Sequence, residues 1–334
     1  MTCFVSSAQQ APLATYAPQI TKGFVRDTVS SLKDLIGKQY FDTTAVPHIQ
    51  QALDTAEQQG DYAKVSDLKG LTAKLNETLS EASHDKHLFV QISELQGSAD
   101  PHSLPRAESA RAINFGLKQA EILDGNVGYL EITAFYREDE GAGTLQAAMN
   151  FVSHTDALIL DLRNNRGGSP DTAIQLLSYF FVKSDFPLFS VIPRYGNPIV
   201  YRAESQGVSY RDQTRPLYVL VSGSTWSAGE AVPFILQERH RATIIGEKTA
   251  GAANPGGPWP INNLLSVTIP SGHIESEIRK TNWERQGVIP DTIVPSSQAL
   301  SVAYVDILEK LLDSPTNAAR RDILSRALVA AKNR

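Results

Sequence analysis

Ser227 opens the stretch "SAGEAVPFILQERH" just behind an apolar, β-branched run, "RPLYVLVSG" (215–223). With Glu230 three residues on, it has the spacing of a capping box, which satisfies backbone donors at a helix start. A serine at a strand-to-helix turn can also attack a carbonyl carbon. That chemistry needs a base for the serine proton, a group that orients the base, and two donors for the oxyanion. The backbone N–H of Ala228 sits where one donor belongs, at the positive end of the helix dipole. The second can come from "DLRNNRGGSP", where Gly167 and Gly168 allow unusual dihedrals and close approach to a ligand. Each piece also has a plainer reading, a helix cap for the serine and a tight turn for the glycines.

Placing these groups together is a task for the surrounding elements. From 125 to 247 the chain alternates strand and helix. "GNVGYLEI" (125–132), "DALILDLR" (156–163), "RPLYVLVSG" and "ATIIGE" (242–247) read as strands; "GTLQAAMNFVSH", "DTAIQLLSYFF" and the Ser227 segment read as helices. The alternation predicts an α/β core with partly parallel strands, whose functional groups gather beyond the strands' carboxyl ends. The glycine loop and the serine turn both fall at that edge. Before the core, residues 22–84 carry three amphipathic patterns with short Gly, Asp or Pro breaks, as in a small helical bundle. "HLFVQIS" (87–93) and "LLSVTIP" (264–270) read as strands, and residues 97–106 as a polar, proline-containing loop. Two amphipathic helices separated by Pro315 close the chain. The expected division is a helical bundle over 1–86 and an α/β core with C-terminal helices over 87–334.

Composition excludes several classes. With 42% hydrophobic and 20% charged residues the chain is neither disordered nor fibrous. A net charge of −5 argues against nucleic acid as a partner. No apolar run reaches the ~20 residues of a membrane span. Cys3 is the only cysteine, so neither an intrachain disulfide nor a cysteine-based metal site is expected. The seven histidines include no HExxH; His84 and His87 have a spacing that can share a zinc ion, but such pairs are usually solvated. "MTCFVSSAQQAPLA" lacks the basic n-region of a complete secretory signal.

Four segments in order, "DLRNNRGG", "VSGSTWSAGEA", "RATIIGEKTAG" and "WERQGVIPD", resemble the tail-specific (C-terminal processing) serine peptidase family. The resemblance covers about residues 125 to 295. It implies a crotonase/Clp-protease-like core of repeated strand–strand–helix units and a periplasmic or extracellular setting. The catalytic lysine of tail-specific proteases would fall on Ala252, so their serine–lysine dyad is absent from its usual place; Lys248 is a substitute nearby. The 31 residues from 94 to 124 are too few for the family's PDZ module. The missing module matches the branch of interphotoreceptor retinoid-binding protein, and the missing lysine matches the tricorn core protease. The latter resemblance implies a Ser–His–Glu triad, with Glu284 in the segment that precedes Gly-Val-x-Pro-Asp. Asp85-Lys86-His87 resembles the family's Asp-x-His segment, which gives His87 the role of base, with His84 in second place.

The expected activity is peptide-bond hydrolysis through an acyl-enzyme, on peptides or unfolded chains and without a cofactor. Two other functions fit parts of the same pattern: a noncatalytic carrier of retinoid or fatty acid, and an esterase.

Overall fold

The computed structural model describes residues 20–93, 106–181, 185–204, 214–314 and 316–333. Three helices come first: α1 (Lys22–Gln39), α2 (Val46–Gln58) and α3 (Leu68–Ser83). Thr21 and Asp67 start α1 and α3 by accepting the N–H groups of Phe24 and Gly70, at 3.1 and 2.7 Å. Residues at helical spacing turn inward, among them Val25, Val29, Leu32 and Ile36 on α1 and Leu71, Leu75 and Leu79 on α3. β1 (Phe89–Ile92) follows. Most of the loop expected over 97–106 lies outside the described residues.

Next come α4 (Arg106–Ala112), β2 (Leu117–Leu123), β3 (Val127–Ile132), α5 (Glu138–Phe151), β4 (Ala157–Asp161), α6 (Pro170–Ser178), β5 (Pro187–Pro193) and β6 (Ile199–Arg202). The chain continues with β7 (Leu217–Val221), α7 (Ala228–Glu238), β8 (Thr243–Gly246), β9 (Gly256–Pro260), β10 (Leu265–Pro270), β11 (Gly272–Ser276) and β12 (Thr292–Ile293). It ends with α8 (Ala299–Asp313) and α9 (Ala318–Lys332); Pro315, expected between them, lies outside the described residues.

The main sheet has the order β12-β8-β7-β4-β3-β2. Its first five strands are parallel and β2 runs antiparallel at the edge. Every residue of β3, β4 and β7 is buried, as continuous apolar runs covered on both faces require. α5, α6 and α7 cover one face and α8 and α9 the other. The α/β core with helices before it is thus as the sequence predicts. β2 was not expected: most of its residues are exposed, which hides the apolar signal of a strand.

Two smaller antiparallel sheets complete the fold, β1-β10-β9 and β11-β5-β6. The first packs its buried face on α1–α3. Leu265, Val267 and Ile269 of β10 join the cluster made by the helices, so these helices close their core only with strands from far along the chain. Each of those side chains is fully buried, and each such burial is worth about 2 kcal/mol. Phe41 N–H donates to the Pro270 carbonyl at 3.0 Å, which joins the chain after α1 to the end of β10. No helix among the described residues is long and apolar enough to cross a membrane.

Candidate active site

Ser227 caps α7 directly after the turn that follows β7, with φ 54° and ψ −123°. This is a strained backbone for a non-glycine residue, and it projects the side chain outward at the top of the sheet. The turn is held by neighbours rather than by its own sequence. Thr225 Oγ1 donates to the Leu162 carbonyl (2.8 Å) and Trp226 N–H to the Asn165 carbonyl (3.0 Å). Asn165, fully buried, also donates to the Ile132 carbonyl and accepts the Gly167 N–H, so it ties the ends of β3, the glycine loop and the serine turn together.

Ser227 and Glu230 do form the ends of a capping box. The bond that holds it is Ser227 N–H to the Glu230 carboxylate, at 2.9 Å, while Glu230 N–H goes to the Ser227 carbonyl. The serine hydroxyl is turned to His87 instead: Oγ lies 3.1 Å from Nε2. The cap and the candidate nucleophile are one residue, with backbone and side chain in separate roles.

Glu230 does more than its spacing announces. Its buried carboxylate also accepts from Thr249 Oγ1 (2.5 Å), Gly251 N–H (2.6 Å) and Ala252 N–H (2.9 Å). Burial raises its carboxyl pKa against the lowering effect of these bonds. The loop it grips continues to Ala253 and Asn254, whose N–H groups donate to Glu284 Oε2 at 2.6 and 3.2 Å. Glu230 thereby links the serine turn to the segment that seats Glu284.

His87 follows α3, whose last turn ends at His84 in a left-handed conformation. Between them, Asp85 is buried and accepts the His87 N–H (2.9 Å), the Tyr40 hydroxyl (3.2 Å) and Asn254 Nδ2 (2.9 Å). Lys86 Nζ reaches the Ala250 carbonyl, and Arg285 Nη2 donates to the Ser83 carbonyl at 2.8 Å. These cross-links bring the imidazole to the serine. Trp226 packs edge-on to the ring, with centroids 5.4 Å apart. Burial lowers the His87 pKa, against the pull of the Asp85 charge, which favours the neutral ring that a base requires.

Glu284 stands behind His87. A carboxylate oxygen of Glu284, one of Asp85 and a ring nitrogen of His87 lie within 4.8 Å of one another. Glu284 Oε1 and His87 Nδ1 are buried and have no hydrogen-bond partner, so no bond joins the carboxylate to the ring. Burial first, and the Asp85 charge second, push the Glu284 carboxyl up to about 7.

A cavity of about 310 Å³ opens at the serine. His87, Ser227, Gly168 and Ala228 line it on one side, and Phe189, Tyr201, Ile274 and Trp283 give it an apolar wall. Neither the Ala228 nor the Gly168 N–H has an acceptor among the described residues. Gly168 has φ 126°, and a Cβ there would sit 2.0 Å from the Phe135 carbonyl oxygen; only glycine allows that approach. Gly167 presses on the serine itself, where a Cβ would come within 2.9 Å of Ser227 Cβ.

The alternatives are placed elsewhere. His84 and Lys248 are both exposed, and neither lines the cavity. Ala252 is fully buried, with its N–H on Glu230 and its carbonyl on Trp283 Nε1. Asp85, Asn165, Asn254 and the second role of Glu230 carry no signal in the sequence beyond the quoted motifs, because each depends on contacts made across the fold.

An elbow serine facing an imidazole, beside two unengaged backbone donors, is the arrangement of the serine hydrolases. The particular family follows from comparison. The model of peptidase family S41 matches residues 126–294, and that of the N-terminal domain of this family in eukaryotic IRBP matches residues 20–119. The chain belongs to peptidase family S41. A carboxy-terminal-processing protease of Bartonella bacilliformis is 31% identical over 180 residues, covering 52% of this chain and 39% of that protein. The carboxy-terminal processing protease CtpA of Bacillus subtilis is 34% identical over 134 residues, 40% of this chain and 27% of its own. The chain thus spans about two-fifths or less of the length of these curated relatives. Among solved structures, the photosystem II D1 C-terminal processing protease shares the fold. Its TM-score is 0.52 at 15% identity, over 81% of this chain and 93% of that one.

Proposed function

We propose that the chain is a serine peptidase that cuts peptides or unfolded chains through an acyl-enzyme at Ser227. The observation that carries this reading is the 3.1 Å approach of His87 Nε2 to Ser227 Oγ, at the mouth of a cavity with two unengaged N–H groups. His87 accepts the hydroxyl proton as Oγ attacks the substrate carbonyl. The N–H groups of Gly168 and Ala228 receive the oxyanion. The imidazolium then gives its proton to the leaving amine, and a water activated by the same ring releases the acyl group. Glu284 turns Oε1 to Nδ1, which fixes the tautomer and stabilises the cation; its carboxylate must be ionised to do so. Asp85 positions the ring through its backbone. The apolar wall of the cavity suits an uncharged side chain on the acyl side of the cut.

Ser227→Ala should abolish peptide hydrolysis while leaving the thermal melt nearly unchanged. Turnover by that variant at the wild-type rate would refute the proposal. Both a lipid carrier and an esterase would fail the same assay in the wild type, the first by binding retinoid or fatty acid without turnover and the second by cleaving esters alone.

A further inference from the structure

Beneath the serine–histidine pair, three groups with metal-binding chemistry face one another. Asp85, His87 and Glu284 each bring one candidate ligand atom to within 4.8 Å of the other two. Two of the atoms available there, His87 Nδ1 and Glu284 Oε1, are buried without any hydrogen-bond partner. The Asp85 carboxylate accepts three hydrogen bonds, from His87 N–H, Tyr40 and Asn254, and a carboxylate has about four lone-pair positions. Two carboxylates therefore crowd one imidazole, while the Arg285 guanidinium beside them is engaged by the Ser83 carbonyl. One nitrogen and two oxygens suit a borderline divalent cation.

We propose that Asp85, His87 and Glu284 form an inhibitory site for a divalent transition-metal cation of the Zn²⁺ kind. Tetrahedral ligands at zinc distances stand about 3.3 Å apart, so the cluster must draw in by up to about 1.5 Å, which the unengaged Oε1 of Glu284 allows. Water from the cavity takes the fourth position. The inhibition follows from the tautomer. A cation on Nδ1 removes the proton there and leaves the remaining one on Nε2. Nε2 then donates to Ser227 Oγ and has no lone pair to accept the serine's proton. Metal and nucleophile activation exclude each other because both need the same ring in opposite tautomers.

Cation binding is independent of turnover, so it is tested apart from the peptidase reading. Titrating ZnCl₂ calorimetrically into the Ser227→Ala protein should reveal one site. Adding His87→Ala should abolish that site, and adding Glu284→Gln should weaken it at least about tenfold, with circular dichroism checking that both variants fold. In the wild type, zinc at a hundredfold excess over its Kd should slow labelling by a serine-directed phosphonate about 100-fold, and EDTA should restore it. The proposal is overturned by an absence of binding, by binding that survives both substitutions, or by labelling that is unchanged when the site is filled. A wild type that never labels, even without zinc, would refute the peptidase reading instead and leave calorimetry to judge the metal site.

Discussion

Glu284→Gln separates what the carboxylate does for catalysis from what it does to the fold, because the two effects have opposite signs. Burial and the Asp85 charge push the Glu284 carboxyl from 4.5 up to about 7. A raised folded-state pKa means that the protonated group favours the fold. Its contribution is complete below about pH 4.5 and is lost as pH rises through about 7. One pKa unit corresponds to about 1.4 kcal/mol, which sets a ceiling near ~3.5 kcal/mol; solvent reaching the half-buried group reduces this to about 1–2 kcal/mol. Glutamine keeps an acceptor for the Ala253 and Asn254 N–H groups and has no charge to desolvate. The variant should therefore gain about 1–2 kcal/mol over wild type between pH 5 and pH 8. Its amide, however, would donate to Nδ1 of His87 and hold the ring in the tautomer that cannot serve Ser227. The kcat should fall about 10³- to 10⁴-fold, as expected when an orienting carboxylate becomes an amide. Urea melts at the two pH values and peptide hydrolysis at pH 8 provide the assay. A variant that loses stability relative to wild type on going to pH 8, or that keeps wild-type kcat, would refute the assignment of Glu284.

Three further outcomes follow from the site. Activity of the wild type should rise through about pH 7 and level off above it, since Glu284 must be ionised and the lowered pKa of His87 already keeps the ring neutral; a flat kcat/KM profile from pH 6 to 8 would contradict this. Ser227→Gly should be more stable than Ser227→Ala by about 1–2 kcal/mol in thermal melts, because glycine adopts φ 54° and ψ −123° without strain; equal stability would show that the elbow is not strained. Gly168→Ala should lose about 3 kcal/mol or more, given the Phe135 carbonyl oxygen 2.0 Å from the new methyl group, and kcat with it; a wild-type melt would contradict the fit.

The strand–helix alternation from 125 to 247 was legible because each element is local and strongly patterned. The long apolar strands β4 and β7 and the helix behind Ser227 carry their own signal. β9, β5 and β6 do not; their pairing is antiparallel and their alternation incomplete, with β9 mostly exposed, while β11 alternates in burial but offers one large apolar residue, Ile274. The shared core was equally hidden. Nothing in α1–α3 alone indicates that Leu265, Val267 and Ile269 complete their packing. At the site, the residue types and family order pointed to Ser227, His87, Glu284 and the glycines; the structure brings Ser227, His87 and Gly168 to one cavity, with Glu284 near His87 and Gly167 against the serine. The supporting shell was beyond the sequence. Glu230 reads as a helix cap and also turns out to hold residues 249–252, and the buried position of Asp85 exists only once Tyr40 and Asn254 converge on it.

Intact-mass spectrometry after treatment with a serine-directed phosphonate tests the paired serine and imidazole most directly. Wild type should gain a single adduct that maps to Ser227, and His87→Ala should acquire it at least about 100-fold more slowly, since general-base assistance is worth about 10² to 10⁴. A wild type that takes up no adduct at Ser227, or a His87→Ala protein labelled as fast as wild type, would contradict the account.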